Sequence, residues 1–472
     1  MITFLKKLDL NTIRGFYMGR LYPLLVCALV LLGSLTGLEV YFNFLVAGLF
    51  VSSLFICTST RPMIVSLCTY IFQLSTRNSP SLINNSDYLY TGWRIWALGV
   101  TVLSVVAAMI CFFFKNKLYK KINVKRDKII LPLAVLCGAL LLNGVFSGTW
   151  KPMSLLFALA QTLVYGFVFI MFLYGLGEDD TTDTLMPYLS YVATLMASVI
   201  VIQLAHLFLT ADNIFVDGSI NKEGVVLGWG IWNLVGACLT MLIPVIFWGV
   251  MHSKYSWAYF TVATLTWLAS VLTMSRNALI FASLAYAACV IIACFFGNYR
   301  KPYRIICAIG VLGVIGLAVI LWSKIQALLG DYFARGFDSN GRYELWAIAW
   351  KNFTDRPVFG RGFSGFESVH QLESGPFAHM GPMPTMAHNT PLELLSATGI
   401  VGTLAYGYYR VVSFIPVIKR PTLQKTMLAL SILVTLGGSL LDNFVFNIYP
   451  MFFAMVTRAM IHRADTQTAA PG

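Results

Sequence analysis

Of the six histidines in this 472-residue chain, His388 has the surroundings that best suit chemistry. It stands two residues ahead of a helix-start signal: Thr390 as the cap, Pro391 at the first helical position, and Glu393 three residues after the cap, as in a capping box. The pattern predicts a helix from about residue 390. The positive end of that helix dipole disfavours imidazolium, and an imidazole neutral near pH 7 is a competent general base. A plainer use is that of a helix-entry residue hydrogen-bonded to its own loop. Gly399 and Gly402, one turn apart further along, have the small-residue spacing that admits a neighbouring helix and so positions the segment.

The charges that could work with such a base are arginines. Arg276, in TMSRNALI (273–280), opens an apolar run. Arg335, Arg342 and Arg361 lie in the one long polar stretch, residues 323–390, with Glu344 and, at its end, Asn389. A pair of guanidinium forks is a natural clamp for a diphosphate. Singly, an arginine at a helix end is an ordinary interfacial anchor, and one in a loop is ordinary surface. Ionisable residues within the apolar runs are few: His206, Arg410 and Asp442. Such residues often mark ion paths, but Arg410 reads as close to an inner helix end and Asp442 as part of a turn between the last two spans, so neither makes a relay. The nine cysteines are scattered without a C-x-x-C pair, which favours core packing over zinc or redox work.

These residues have to be positioned by apolar elements. The chain is 58% hydrophobic and 11% charged, against about 25% charged in a soluble domain, so the expected fold is an all-α polytopic membrane protein. Candidate spans centre near residues 30, 48, 68, 104, 138, 164, 197, 241, 264, 286, 313, 403, 434 and 452. The third is short, which puts the expected number at about 12–14 transmembrane helices. The division is residues 1–322, N-terminal membrane helices; 323–390, an outer loop with an amphipathic helix; and 391–472, C-terminal membrane helices. The first segment follows a basic start but no A-x-A-like site, and reads as a retained anchor.

A net charge of +13 could suggest nucleic acid, yet the basic residues occupy short segments between apolar runs and report topology instead. With a cytoplasmic N-terminus, 21 Lys and Arg fall in inner segments and five in short outer loops, as the positive-inside rule requires. GEDDTTD (177–183) falls inside with four acids and no base, but acidic residues count little in that rule. The long loop, Arg276 and His388 then share the outer face. That convergence favours the chemical reading. Within the loop, GRYELWAIAWKNF (341–353) carries helical periodicity, an amphipathic helix on the membrane surface or the bundle.

The combination resembles a known family. His388, Asn389, nine residues, then GIVG (399–402) looks like the His-Asn/Ser/Gln, nine-residue spacer, Gly-x-x-Gly motif of the O-antigen ligase and polymerase family. TMSRNALI resembles that family's arginine motif, with Ile280 in place of its usual leucine. GRYELWAIAWKNFTDRPVFGRGFSGF (341–366) is similar to its periplasmic segment, which ends in a Pro-x-x-Gly-x-Gly turn. The resemblance covers about residues 270–405. It implies a metal-independent, inverting glycosyltransferase of GT-C-like fold without a cofactor, in the cytoplasmic (inner) membrane with its active site on the outer face. The donor would be a glycan on undecaprenyl diphosphate, and the acceptor a glycan or lipid-linked glycan. Arg276 and Arg342 would bind the donor diphosphate and His388 would activate the acceptor or position the donor. Arg335, Arg361, Asn389 and Glu344 would complete the substrate-binding set.

Two rivals belong to other classes. A flippase of lipid-linked oligosaccharide would show paired interrupted spans and midplane charges, and no internal repeat is evident. A metal-dependent transferase could use GEDDTTD, but topology separates that stretch from His388.

Overall fold

Water is missing from the hydrocarbon core of a bilayer, so each spanning segment must satisfy its backbone N–H and C=O groups internally, which selects helices. In the computed structural model the apolar runs are helical throughout the residues it describes: 9–65, 93–147, 152–211, 214–216, 219–220, 224–227, 230–320, 322, 342–362, 387–442, 444 and 448–469. The N-terminal helices are α1 (Leu10–Met18), α2 (Leu21–Thr36), α3 (Glu39–Ile56), α4 (Trp93–Lys115), α5 (Leu118–Lys121) and α6 (Ile130–Phe146). Next come α7 (Pro152–Thr162), a π-helical turn (Leu163–Val168), α8 (Phe169–Gly175) and α9 (Thr182–Thr210). Two minimal hairpins follow, β1 (Phe215–Val216) with β2 (Ser219–Ile220) and β3 (Val226–Leu227) with β4 (Gly230–Ile231), both antiparallel. The remainder is α10 (Trp232–His252), α11 (Ser256–Leu272), α12 (Arg276–Phe295), α13 (Arg300–Ile320), α14 (Arg342–Asp355), α15 (Thr390–Lys419), α16 (Leu423–Gly438) and α17 (Ile448–Ala469).

The protein is thus an all-α polytopic membrane protein. Every span centre read from the sequence falls in a helix except the one near residue 68, which lies outside the described residues. Among the described residues five helices are long and apolar enough to cross a bilayer, and a sixth crossing is α1 with α2, bent by 66° between them. Five shorter apolar helices accompany them. The centre of the bundle is α10, buried at every residue from Leu234 to Met251. A helix apolar on all sides belongs in the interior, and α10 packs against α9, α11, α12 and α16.

The bundle has two chemically distinct ends. At one, Asp180 of the acidic stretch accepts from Ser59 Oγ at 2.5 Å and from the Gly177 N–H at 2.9 Å, with Arg61 3.6 Å away. Arg463 of α17 donates to the carbonyls of Asp180, Leu176 and Gly177. Gln424 reaches Asp183 at 2.7 Å, and buried Lys425 pairs with Asp465 at 3.0 Å. The acids that break the charge rule therefore tie helix ends together. His388 lies at the other end. There α14 rests on α15, burying Leu345, Ala349 and Asn352 and leaving Trp350 half exposed.

Candidate functional site

The entry to α15 differs in detail from the expected capping box. The cap is Asn389, not Thr390: the Asn389 carboxamide oxygen accepts from the Leu392 N–H at 3.0 Å. The Thr390 hydroxyl is drawn away to the Asp442 carbonyl at 3.3 Å, which leaves the cap to its neighbour. Glu393, 2% exposed, accepts from the Ala387 N–H at 2.8 Å rather than from the cap residue. That bond folds the approaching chain over the helix start, and between the two tethers His388 sits at φ 47°. A left-handed conformation costs a non-glycine residue about 1–2 kcal/mol. It persists because both flanks are fixed, the usual circumstance of strain at a working residue.

What fixes the flanks is the turn after α16. Five successive carbonyls accept from five donors on other elements. Gly438 O takes Asn277 Nδ2 at 2.7 Å, and Ser439 O takes the Thr390 N–H at 2.9 Å. Leu440 O takes Asn389 Nδ2 at 3.1 Å, Leu441 O takes Arg342 Nη1 at 2.8 Å, and Asp442 O takes the Thr390 hydroxyl. The Asp442 side chain then meets His388, with Oδ1 3.0 Å from Nδ1. Its second oxygen accepts from Asn233 Nδ2 at 2.9 Å. Asn233 Oδ1 in turn accepts from Ser275 Oγ at 2.8 Å, and Ser275 is the N-cap of α12, the helix that Arg276 opens.

Asp442, expected in a turn between the last two spans and outside any ion path, lies in the turn after α16, and its carboxylate meets the imidazole. A carboxylate only accepts, so in the neutral imidazole the proton sits on Nδ1 and the lone pair on Nε2. The His388 side chain is 33% exposed and that of Asp442 12%, so the carboxylate is sheltered while the ring reaches solvent. An imidazole oriented this way by a carboxylate is the arrangement of a general base. Arg410 departs from its sequence reading: it lies along α15 with its guanidinium against Tyr406, not at the helix end.

The other sequence-derived residues divide. His388, Asn389 and Arg342 come together around the 438–442 turn, and Arg276 follows Ser275, which is linked to Asp442 through Asn233. Arg276 is exposed at the first position of α12. A guanidinium has five N–H donors, so the one bond from Arg342 to Leu441 leaves its fork able to meet a ligand. Glu344 lies in the first turn of α14, with Oε2 buried and without a hydrogen bond among the described residues. Arg361 is held apart: it pairs with Asp355 at 2.6 Å, and its N–H donates to Ser396 O. That position is near the far end of the 390–398 segment, about 9–13 Å from His388 at 1.5 Å per residue. Arg335 lies outside the described residues.

Gly399 and Gly402 do more than admit a helix. α15 is broken at Gly399, where φ 62° and ψ −163° lie in a region open essentially only to glycine. The break exposes backbone to the 357–362 turn. Ile400 N–H donates to Pro357 O at 2.8 Å, and Gly362 N–H donates to Ala397 O at 2.9 Å. A Cβ at Gly360 would lie 2.7 Å from Gly399 N, so this contact needs glycine on both sides. Asn143 of α6 caps the junction, donating to the carbonyls of Ala397 and Phe359. Gly402 makes room for the Thr398 side chain of its own chain segment, brought over it by the break. The nine-residue spacer is therefore one rigid half-helix with a histidine at one end and a docked turn at the other.

Sequence reasoning missed Asp442, Asn233, Ser275 and Glu393. The available signal for Asp442 was its place in an outer turn, on the same face as His388. Glu393 was noticed, but only as a cap.

A carboxylate-supported histidine, with Arg342 tied to the same turn, thus stands at one end of an apolar helical bundle. Residues 260–407, from α11 into α15, match the family model described as O-antigen ligase. Over those residues the chain is similar to an O-antigen ligase domain, which supports a general role in the transfer of lipid-linked glycans. No curated protein matches the chain. Asn233 and Asp442, which complete the hydrogen-bonded chain at His388, lie outside the matched residues.

Proposed function

We propose that the protein transfers a glycan from undecaprenyl diphosphate onto an acceptor hydroxyl, as an O-antigen ligase or surface-polysaccharide polymerase, without a metal and with inversion. The observation that carries this reading is the 3.0 Å contact between His388 Nδ1 and Asp442 Oδ1. His388 Nε2 takes the acceptor proton while the acceptor oxygen attacks the anomeric carbon from the face opposite the diphosphate. The C–O bond to the diphosphate breaks, and Arg276 and Arg342 meet the charge that develops there. Because the leaving group is already a diphosphate, guanidinium groups supply the stabilisation that a cation supplies elsewhere. Asp442 holds the ring in the productive tautomer and balances the imidazolium. In this reading Asn389, Glu344, Arg335 and Arg361 complete the substrate-binding set, Arg361 from the far end of the 390–398 segment.

In this reading the protein lies in the cytoplasmic membrane with this site on the outer face, the side opposite the basic segments. The test uses purified protein in detergent with EDTA, an undecaprenyl-diphosphate glycan and acceptor. Transfer is expected, with His388→Ala lowering it by about 10²–10⁴-fold and Arg276→Ala weakening donor use. Full activity in His388→Ala, dependence on a divalent metal, or movement of the lipid across a bilayer without transfer would each overturn the proposal.

A further inference from the structure

Asn233 makes two side-chain contacts on which the placement of the base depends, and it lies outside the residues matched by the family model. It is the second residue of α10, the helix buried at every position from Leu234 to Met251, so its backbone belongs to the most enclosed element of the bundle. Its carboxamide has one favourable orientation. The Ser275 hydroxyl accepts from the Ala278 N–H as the cap of α12 and turns its own proton to Asn233 Oδ1 at 2.8 Å. The amide nitrogen is left to face Asp442 Oδ2, to which it donates at 2.9 Å. The reverse orientation would set an amide oxygen against a carboxylate oxygen.

Packing brings these partners together. Gly236 stands one turn after Asn233, where a Cβ would clash with the Thr273 and Ala278 side chains, so the start of α12 approaches α10 over a glycine. Strain marks both ends of the chain of contacts. Among the described residues the non-glycine positions at positive φ are Lys117, Met274 and His388. Met274 immediately precedes Ser275, and His388 is the base itself. Such conformations persist where the surroundings over-determine them, and they cluster at working sites.

The chemistry of the partner matters as much as its place. A carboxylate that is to balance an imidazolium must keep its charge. A lysine or arginine at Oδ2 would offset that charge, whereas a carboxamide supplies a donor and no charge. The Asp442 side chain is only 12% exposed, so solvent has little access to the oxygen that Asn233 holds. A bond at Oδ2 sets the plane of the carboxylate, and with it the aim of Oδ1 at the ring.

We propose that Asn233 is a positioning residue of the His388–Asp442 pair: it keeps Oδ1 aimed at Nδ1 and, through Ser275, holds the base in register with the Arg276 helix. What the pair does with its proton rests on the proposed transfer reaction; the placement does not. One readout therefore needs no transfer. Diethyl pyrocarbonate modifies neutral imidazole, and mass spectrometry of the His388 peptide gives the pH of half-maximal modification in full-length protein in detergent. Asp442→Asn removes the counter-charge and should move that pH down by about one unit. Asn233→Leu, similar in size and unable to donate, should move it part of the way in the same direction, and Ser275→Ala should follow with a smaller shift. In the transfer assay Asn233→Leu should lower turnover by about 10–100-fold, the effect of removing an outer partner that orients a histidine, with the donor KM within about threefold. The proposal is overturned if Asp442→Asn moves the half-modification pH while Asn233→Leu and Ser275→Ala leave it at the wild-type value, or if the loss in Asn233→Leu is confined to the donor KM. The expected shifts in a protein that transfers no glycan would support the positioning role and overturn the transfer reaction instead. Ser275→Ala decides if Asn233→Leu fails to fold.

Discussion

Asp442→Asn isolates the role of the carboxylate with almost no change in shape. Two contacts of Asp442 matter here: Asn233 Nδ2 donates to Oδ2 at 2.9 Å, and His388 Nδ1 lies 3.0 Å from Oδ1. An asparagine must keep its carbonyl toward the Asn233 donor, which turns its amide N–H toward His388. The ring then accepts at Nδ1 and carries its proton on Nε2, where the base lone pair is needed. A general base is worth about 10²–10⁴-fold, or about 2.7–5.4 kcal/mol at 1.36 kcal/mol per decade. Most of that should vanish, although the main-chain bonds of the 438–442 turn remain. The assay is initial-rate glycan transfer by purified protein in EDTA, with donor binding measured separately. We expect the turnover number to fall by about 10²–10⁴-fold while donor affinity stays within about threefold. Turnover within threefold of wild type would refute the base assignment, and an equal loss of donor binding would move Asp442 from the base to the donor site.

Two further predictions concern the frame. Gly399→Ala places a side chain at φ 62°, ψ −163° and 2.7 Å from Gly360 N, so it should destabilise by about 1–3 kcal/mol or more; an unchanged unfolding midpoint in detergent would contradict the docking of the 357–362 turn. Asp465→Asn removes the counter-charge of Lys425, which is fully buried, and leaves it neutral acceptors alone, the carbonyls of Pro416 and Arg420 and the new amide oxygen. It should cost about 2–4 kcal/mol, and Lys425→Met should cost less, because Asp465 is 32% exposed and can be solvated alone; the reverse order of unfolding midpoints would show that the pair is not what satisfies the lysine.

Much of the frame is legible in the sequence because the bilayer reduces the problem to length and polarity. The α12 start at Arg276, the α14 helix and the α15 start at residue 390 all fall within one or two residues of their sequence-derived positions. What fails is anything that depends on which turn meets which. Thr390 reads as the cap because Glu393 completes a capping-box pattern with it, yet the helix starts one residue earlier, on Asn389, and the Thr390 hydroxyl instead donates to the Asp442 carbonyl. Gly399 and Gly402 resemble a helix-packing pair, since a break in a helix needs a partner turn, and that turn lies some 40 residues earlier in the chain. The pairing of Asp442 with His388, 54 residues apart, has no local signature at all.

The arrangement also explains why the histidine motif has a fixed spacer. His388 is held by the 438–442 turn, and Gly399 is held by the 357–362 turn. Between them a straight half-helix sets both the distance and the rotation, because each added residue would advance the chain by about 1.5 Å and turn it by about 100°. An altered spacer could keep Gly399 docked only by swinging His388 away from Asp442. Arg342, tied to Leu441 at the start of α14, and the glycine turn that follows α14 anchor the same loop at two points. The histidine, the loop and the arginine helix are thus registered to one another through a single turn whose carbonyls are all engaged. Precise placement of the base follows from that turn, more than from any residue adjacent to His388 in the chain.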